Sequence, residues 1–421
     1  MAQAEVQAEL DKHFKHNFRV NVLDGASFWF GASFFATRTI GVLFLSYLTD
    51  NTFAFGLLAM IASTGWSLPQ LFTANWVQRL PVKKVVPVVH GFYWERLPVL
   101  LLPLAALAAL RSTGLAIFLF LLFIAWHVIG AGIVGVGWQD MIAKIFPVAW
   151  RGRYFGIANF LGNGTGILGA TAAAWMLETM QFPYNFMLVF GIGGVFIFIS
   201  WIFLSMTREP AQEPKNPPQD SKTYWRSIPG IIKADRNFRR FLISSVLSVI
   251  GFMAVGFLTV YAIRTWDISD ATVSLFTTSM LAGNTLSNPL FGWLGDKFGH
   301  KKVLVINGLL TVAAIVVALV APVPVWFYLV FALLGANQAG FLTSGITIVF
   351  EFCDEEVRPT YIGITNTVMG IFGAIAPLAA SLIIEQFNFQ ALFWVSIIFS
   401  MISVLFLMVF VREPRGAASA A

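Results

Sequence analysis

Long apolar stretches, separated by short polar or glycine- and proline-containing breaks, follow one another along almost the whole 421-residue chain. A helix needs about 20 mostly apolar residues to cross the hydrocarbon core of a bilayer. The pattern therefore predicts an all-α polytopic membrane protein with twelve transmembrane helices. In the first half the spans lie near 22–47, 53–75, 85–110, 115–141, 154–177 and 185–206, and in the second half near 239–263, 271–294, 303–321, 325–351, 360–384 and 389–411.

The longest polar stretch lies between spans six and seven, and it contains five prolines among mixed charges, which is typical of a linker. We therefore expect two six-helix bundles joined by a cytoplasmic linker. The predicted divisions are a cytoplasmic N-terminal segment at 1–21, an N-terminal bundle at 22–207, the linker at 208–237, a C-terminal bundle at 238–411 and a cytoplasmic tail at 412–421.

Composition excludes a soluble protein and most enzyme classes. Hydrophobic residues make up 57% of the chain and charged residues only 11%, against about a quarter in soluble domains. The single cysteine, Cys353, excludes an internal disulfide and a cysteine-based metal cluster. The sequence has no phosphate-binding loop, nucleophile elbow or paired histidines with ligand spacing. We expect no enzyme activity, no cofactor and no metal.

Lysine and arginine are distributed very unevenly between the two sets of predicted loops. Of the 27 basic residues, all but four fall on the side of the membrane that holds both termini. The exceptions are Arg38 and Arg96 within spans, and Arg111 and Arg264 in opposite loops. Basic residues accumulate in cytoplasmic loops. The pattern predicts cytoplasmic termini in a plasma (inner) membrane, and it accounts for the net charge of +6 without nucleic acid.

Three short patterns recur between the two halves in a nearly constant register. Arg151-Gly-Arg153-Tyr-Phe-Gly-Ile-Ala-Asn at the start of span five returns as Arg358-Pro-Thr-Tyr-Ile-Gly-Ile-Thr-Asn at the start of span eleven. An Arg-Glu-Pro sequence closes both span six and span twelve, and Gly130 in span four corresponds to Gly335 in span ten. The agreement predicts two structurally related halves, a known transporter design.

The loop after span eight reads Gly292-Trp-Leu-Gly295-Asp296-Lys297-Phe-Gly299-His300-Lys301-Lys302. It resembles the signature loop of the major facilitator superfamily, while the equivalent loop after span two has Gln78 in place of the aspartate. The resemblance implies that fold and an alternating-access cycle. It also implies a gating role for the loop, in which Asp296 pairs with the N-terminal region of span five, where Arg151 and Arg153 lie. Arg358 is the counterpart of Arg151 at the start of span eleven. The alternative is a loop anchor without a gating role.

Ionisable side chains inside a membrane are costly and therefore candidates for function. The resemblance implies that spans one, four, seven and ten line a central cavity. Arg38 would bind a substrate anion or a buried carboxylate, and Asp24 or Asp140 would act as a proton-responsive gate. Helix capping or pairing with loop arginines is an equal alternative for both aspartates, and Glu95 with Arg96 favours a structural pair on an outer helix. The full predicted cavity set is Asp24, Arg38, Trp126, His127, Gln139, Asp140, Tyr261, Asn337 and Gln338.

These observations favour a secondary transporter for a small solute, in which protons are a candidate coupling ion and the working unit is a monomer in the lipid bilayer. A lipid transporter or a non-transporting sensor on the same fold is the alternative. The substrate and the direction of transport are not readable from the residues.

Overall fold

A computed structural model of the chain describes residues 3–212, 230–345, 347–353 and 358–414, and these are almost entirely helical. The first six predicted spans are all present. Their helices are Gln3–Ala32, Ser33–Phe35 and Ile40–Ser46 for span one, Thr52–Thr64 and Leu68–Gln78 for span two, Val86–His90, Phe92–Arg96 and Leu97–Ala108 for span three, Thr113–Ile145 for span four, Val148–Thr179 for span five and Tyr184–Ser205 for span six.

The second six predicted spans are also present. Their helices are Arg236–Gly251, Phe252–Phe257 and Leu258–Trp266 for span seven, Asp270–Phe298 for span eight, His300–Val320 for span nine, Trp326–Gly340, Phe341–Gly345 and Thr347–Phe350 for span ten, Arg358–Gln386 for span eleven and Phe389–Phe410 for span twelve. The fold prediction of twelve helices in two related bundles is confirmed. The first helix begins far earlier than predicted, because its polar N-terminal part continues the span without a break.

Nine helices in the described part of the chain are long and apolar enough to cross a membrane by length and hydropathy. The three spans that do not meet this test are three, five and eight. Each of them contains polar side chains that are buried within the protein, namely Glu95, Asn163 and Asn284. These polar side chains are covered by protein.

The helices form two compact units that divide within the predicted linker, between Pro218 and Gln219. The first unit also contains Ser269–Thr278, and the second contains Asn51–Thr64. Within the first unit the Ser274 hydroxyl donates to the carbonyl oxygen of Ala170 at 2.9 Å. Within the second unit the Ser63 hydroxyl donates to the carbonyl oxygen of Gly373 at 2.8 Å. Nothing in the sequence marked these two short segments.

Glycines allow close backbone contact at equivalent places in the two units. A Cβ atom at Gly130 would lie 1.8 Å from the carbonyl oxygen of Trp94 in span three. A Cβ atom at Gly335 would lie 1.9 Å from the carbonyl oxygen of Met280 in span eight. Real side chains cannot approach backbone this closely, so both contacts require glycine. The repeat register found in the sequence therefore relates two glycines that both lie against backbone, although Gly130 contacts span three and Gly335 contacts span eight.

Candidate functional site

Span one is not a continuous helix, and the interruption contains Arg38. The helix ends at Ala32, passes through a 3₁₀ turn at Ser33–Phe35 and resumes at Ile40, with Thr39 in a non-helical conformation. Span seven changes to 3₁₀ geometry at Phe252–Phe257, at a similar position in its own bundle. Irregular backbone within a membrane protein is typical of binding sites, because its polar groups must be satisfied by protein, water or ligand. Arg38 is half-buried in this segment.

Span three contains a buried ion pair between adjacent residues. Arg96 Nη1 lies 2.8 Å from Glu95 Oε2, and the two side chains are 4% and 6% exposed. The guanidinium also lies over the ring of Phe28 from span one, 5.0 Å from its centroid. Both residues belong to a π-helical turn, Phe92–Arg96, and π-turns are frequent at functional sites. The pair therefore faces the interior of its bundle from span three.

Asp24 from span one lies close to this pair. Its Oδ1 accepts a hydrogen bond from the Ser200 hydroxyl of span six at 2.6 Å. Asp24 also interacts electrostatically with Arg96 and Glu95, and with the phenol group of Tyr154 in span five. Asp24 is only 5% exposed. Four spans thus bring polar or charged groups to one buried position.

His127 from span four connects the ion pair to the interruption in span one. Its Nδ1 lies 2.8 Å from the backbone carbonyl oxygen of Glu95. Since a carbonyl only accepts, Nδ1 carries the hydrogen, and the neutral ring has a free acceptor at Nε2. The ring packs edge to face on Phe35, with centroids 5.3 Å apart, directly before the irregular segment. We define Asp24, Glu95, Arg96 and His127 as the buried charge cluster.

Asp140 and Gln139 lie apart from the buried charge cluster. Asp140 Oδ2 is 3.4 Å from the Lys83 ammonium in the loop after span two, and its side chain is 47% exposed. Gln139 is exposed. The structure therefore brings together Asp24 and His127 of the predicted first-half residues, while Asp140 pairs with a loop cation. Sequence reasoning had left this kind of pairing open.

Trp126 stands next to His127 on span four and is half-buried. Its indole Nε1 is a buried donor without a hydrogen-bond partner among the described residues. Buried donors are normally satisfied, so an unpaired one indicates a place where a ligand or water can bind. Trp126 is the residue of the predicted set whose polar atom is most clearly available to a solute.

The predicted second-half residues serve packing within their own unit. The Asn337 amide donates to the carbonyl oxygen of Asn307 at 2.9 Å and to Thr311 Oγ1 at 3.0 Å. Tyr261 is buried among aromatic rings, with its nearest neighbour Phe393 at 4.9 Å between centroids. Gln338 is half-buried. These contacts join spans nine and ten, and spans seven and twelve.

The predicted gating loop forms a compact turn at the end of span eight. Gly299 has φ of 93°, and a Cβ atom there would collide with the Glu413 carboxylate. Lys297 lies over the Trp293 ring at 4.9 Å, and the Lys301 ammonium donates to the carbonyl oxygen of Met408 at 3.0 Å. Of the remaining predicted residues, Gly292 and Gly295 lie within the last turns of span eight, Asp296 is exposed and Lys302 lies over the Phe298 ring.

The side chains of Arg151 and Arg358 lie outside the described residues, and Arg153 is exposed beside Trp150. In the first unit the place of Glu413 is taken by Glu209. Its Oε1 accepts from the backbone N–H of Lys83 at 2.9 Å and from the Lys144 ammonium at 2.8 Å. Its Oε2 accepts from the backbone N–H of Lys84 at 2.6 Å. Sequence reasoning missed this anchor, although the repeated Arg-Glu-Pro endings were its signal.

The second half of the chain matches a family model described as Major Facilitator Superfamily over residues 241–421. An uncharacterised MFS-type transporter of Methanocaldococcus jannaschii is 26% identical over 60% of this chain and 62% of its own length. The multidrug resistance protein MdtL of Shigella dysenteriae is 28% identical over 37% of this chain and 40% of its own length. The matched regions thus span less than two thirds of these relatives.

Solved structures match the chain over nearly its full length. The D-xylose-proton symporter has a TM-score of 0.68 at 15% identity, covering 95% of this chain and 98% of the symporter. A POT family transporter in complex with 5-aminolevulinic acid also has a TM-score of 0.68 at 12% identity, covering 93% and 94% of the two chains. At these identities the likeness establishes a shared fold.

Proposed function

We propose that this chain is a secondary transporter of the major facilitator superfamily, which moves a small solute by alternating access and couples this movement to protons at the buried charge cluster. The similarity in fold to a proton symporter supports the proposal. The residues that carry it are Asp24, Glu95, Arg96 and His127, because together they make a protonation site inside one bundle.

The charge balance of the cluster is the observation that carries the proposal. Asp24 and Glu95 contribute two carboxylates, and Arg96 alone supplies a permanent positive charge. An uncompensated buried charge costs several kcal/mol. A proton bound to the cluster neutralises the excess carboxylate and removes that cost. Release of the proton then requires a conformational change that exposes the carboxylate to water or pairs it with a positive charge. Tyr154 and Ser200 also face Asp24, and neither supplies positive charge.

A solute site next to the cluster connects proton binding to transport. Arg38 lies in the irregular segment of span one, and Trp126, whose buried indole N–H has no hydrogen-bond partner among the described residues, precedes His127 in span four. We propose that Arg38 binds an anionic group of the solute and that the indole N–H donates to it. His127 links the two sites, because its ring packs on Phe35 and its Nδ1–H bonds span three at Glu95.

The proposal includes a plasma-membrane location, cytoplasmic termini and a functional monomer. The concentration of basic residues on the side of both termini supports this orientation. The two bundles within one chain supply both halves that alternating access needs, so a second copy is not required.

The first experiment is a thermal-shift screen of the detergent-purified chain against organic anions, sugars, amino acids and cationic drugs. A ligand at about 100 times its dissociation constant adds about 2.7 kcal/mol of stability. We expect hits among the organic anions. Arg38→Gln should abolish the shift, and Arg38→Lys should retain part of it because the charge remains.

Coupling is then measured in proteoliposomes loaded with a pH-sensitive dye. A concentration gradient of the solute identified in the screen is imposed, and the resulting proton movement is recorded. Asp24→Asn should still bind the solute but lose the proton movement. Asp140→Asn is the matched control, because it removes an exposed carboxylate that pairs with Lys83. Solute-driven proton movement in Asp24→Asn with the wild-type pH profile would show that the coupling group has been misassigned.

A further inference from the structure

A cavity on the first unit, outside the proposed transport site, is lined by charged side chains. Its volume is about 370 Å³, and its walls include Glu9, His13, Lys84, Thr207, Arg208 and Glu209. These residues come from the N-terminal part of span one, the loop before span three and the end of span six. All three segments belong to the side of the chain that carries most of the basic residues.

The walls of this cavity are held by specific hydrogen bonds. The Asn17 side chain accepts from the backbone N–H of Arg208 at 2.9 Å and donates to its carbonyl oxygen at 2.8 Å. Asn21 donates to Thr207 Oγ1 at 3.0 Å. The Glu209 carboxylate holds the backbone of Lys84 from the opposite side. The positions of Lys84 and Arg208 are therefore fixed by their backbones, and their charged ends are not needed for the anchoring.

The cavity has an excess of positive charge once the internal pairs are considered. Glu209 is compensated by the Lys144 ammonium, at 2.8 Å. This leaves the two cationic side chains of Lys84 and Arg208 opposite the single carboxylate of Glu9. Arg208 Nη1 donates to His13 Nδ1 at 3.3 Å. Burial lowers the pKa of Lys84, and the Glu209 carboxylate opposes that shift. An anion bound in the cavity would raise the pKa of Lys84 further and so favour its charged form.

Exposed apolar side chains border the cationic groups on two packed helices. Val85 and Val89 of span three are 40% and 50% exposed, directly after Lys84. Ile202 and Met206 of span six are 41% and 47% exposed, directly before Arg208. The two helices are joined here by a hydrogen bond from the Trp201 indole to the carbonyl oxygen of Val88, at 2.8 Å. A ligand with an anionic head and apolar tails fits both features.

We propose that this cavity binds the phosphate headgroup of an anionic phospholipid from the cytoplasmic leaflet, with the acyl chains lying along the exposed faces of spans three and six. Basic pockets between helices on the cytoplasmic side are suited to such headgroups. A free phosphate shares the headgroup chemistry but gains nothing from the neighbouring apolar faces. The site is separate from the buried charge cluster, so the proposal does not depend on proton coupling.

The test is lipid-dependent thermal stabilisation of the full chain in detergent, with phosphatidylglycerol, phosphatidylcholine, glycerol phosphate and inorganic phosphate as separate probes. Native mass spectrometry counts the bound lipids. We expect saturable stabilisation by phosphatidylglycerol at one tightly bound lipid per chain, and none by the other three probes. One lysine or arginine near an anionic surface contributes about 1 kcal/mol, so Lys84→Gln and Arg208→Gln should each weaken the affinity about fivefold.

The matched control is Lys12→Gln, which removes a positive charge from the exposed surface of the same N-terminal helix, one residue from His13. It should keep the wild-type affinity. An equal loss of affinity in Lys12→Gln and Lys84→Gln would overturn the proposal, because binding would then follow overall surface charge. Equal stabilisation by inorganic phosphate and phosphatidylglycerol would also overturn it, in favour of a site for soluble anions.

Discussion

Replacing Gly130 with alanine tests how closely the buried charge cluster depends on helix packing. The added Cβ atom would lie 1.8 Å from the carbonyl oxygen of Trp94 and 2.9 Å from the backbone nitrogen of Glu95. Both neighbours are main-chain atoms, so no side-chain rotation relieves the collision. Spans three and four must separate, and the ion pair of Glu95 and Arg96 must move with span three.

The size of the effect follows from the kind of contact. Overpacking a well-packed core costs about 1–3 kcal/mol, and a collision with backbone belongs at the upper end, about 3 kcal/mol. In a unit of this size, each kcal/mol lowers the melting temperature by about 2–4 °C. We therefore expect Gly130→Ala to lower it by about 6–12 °C, measured by tryptophan fluorescence of the detergent-purified protein. Solute-driven proton movement should fall as well.

Gly164→Ala is the matched control, because nothing lies within 4 Å of its added Cβ atom. Alanine favours a helix over glycine by up to about 1 kcal/mol, so this variant should be at least as stable as the wild type. Gly335→Ala should resemble Gly130→Ala, since its Cβ would collide with the Met280 carbonyl oxygen. Equal melting temperatures for Gly130→Ala and Gly164→Ala would refute the reasoning.

Two further predictions concern the contacts of Glu209 and Glu413 at the ends of spans six and twelve. Glu209→Gln removes the negative charge that compensates Lys144, and it replaces one of the two oxygens that accept from backbone N–H groups. It should therefore lower the free energy of unfolding by about 1–3 kcal/mol. A melting temperature equal to that of the wild type would contradict this. Gly299→Ala places a side chain at φ of 93° and against Glu413, which should cost about 1–3 kcal/mol. Gly292→Ala, with nothing within 4 Å of its Cβ, should leave the melting temperature unchanged.

The sequence predicted the elements that depend on hydropathy and repetition. All twelve spans were found, including the three that do not meet the test of length and hydropathy, because the breaks between spans contain charges, glycine and proline. The repeat register predicted that Gly130 and Gly335 occupy equivalent positions in spans four and ten. The structure shows why both are glycine, since each lies so close to backbone that no side chain fits. Periodicity and repeats are local properties of a chain, and so they can be read from it directly.

The buried charge cluster was predicted only in part. Asp24 and His127 were candidates for function, whereas Glu95 and Arg96 were expected to be a structural pair of an outer helix. Their π-helical turn, Phe92–Arg96, could not be read from hydropathy. The interruption of span one at Arg38 was also not predicted, because the segment contains neither glycine nor proline between Ser33 and Thr39. Tertiary contacts determine both features.

The two halves retain a common architecture but differ in their chemistry. Gly130 and Gly335 both lie against backbone, of span three and span eight respectively, and the carboxylates of Glu209 and Glu413 recur at the ends of spans six and twelve. The ionisable cluster is not duplicated. When the loop after span two is aligned with the loop after span eight, Gln78 corresponds to Asp296, and Glu95 and Arg96 correspond to Ala313 and Ala314 of span nine. A single protonation site requires only one set of charges, whereas movement of both bundles requires each to be packed as a rigid body. Two packed bundles with the buried charge cluster in one of them are therefore the arrangement expected if, as proposed, the first bundle binds the proton.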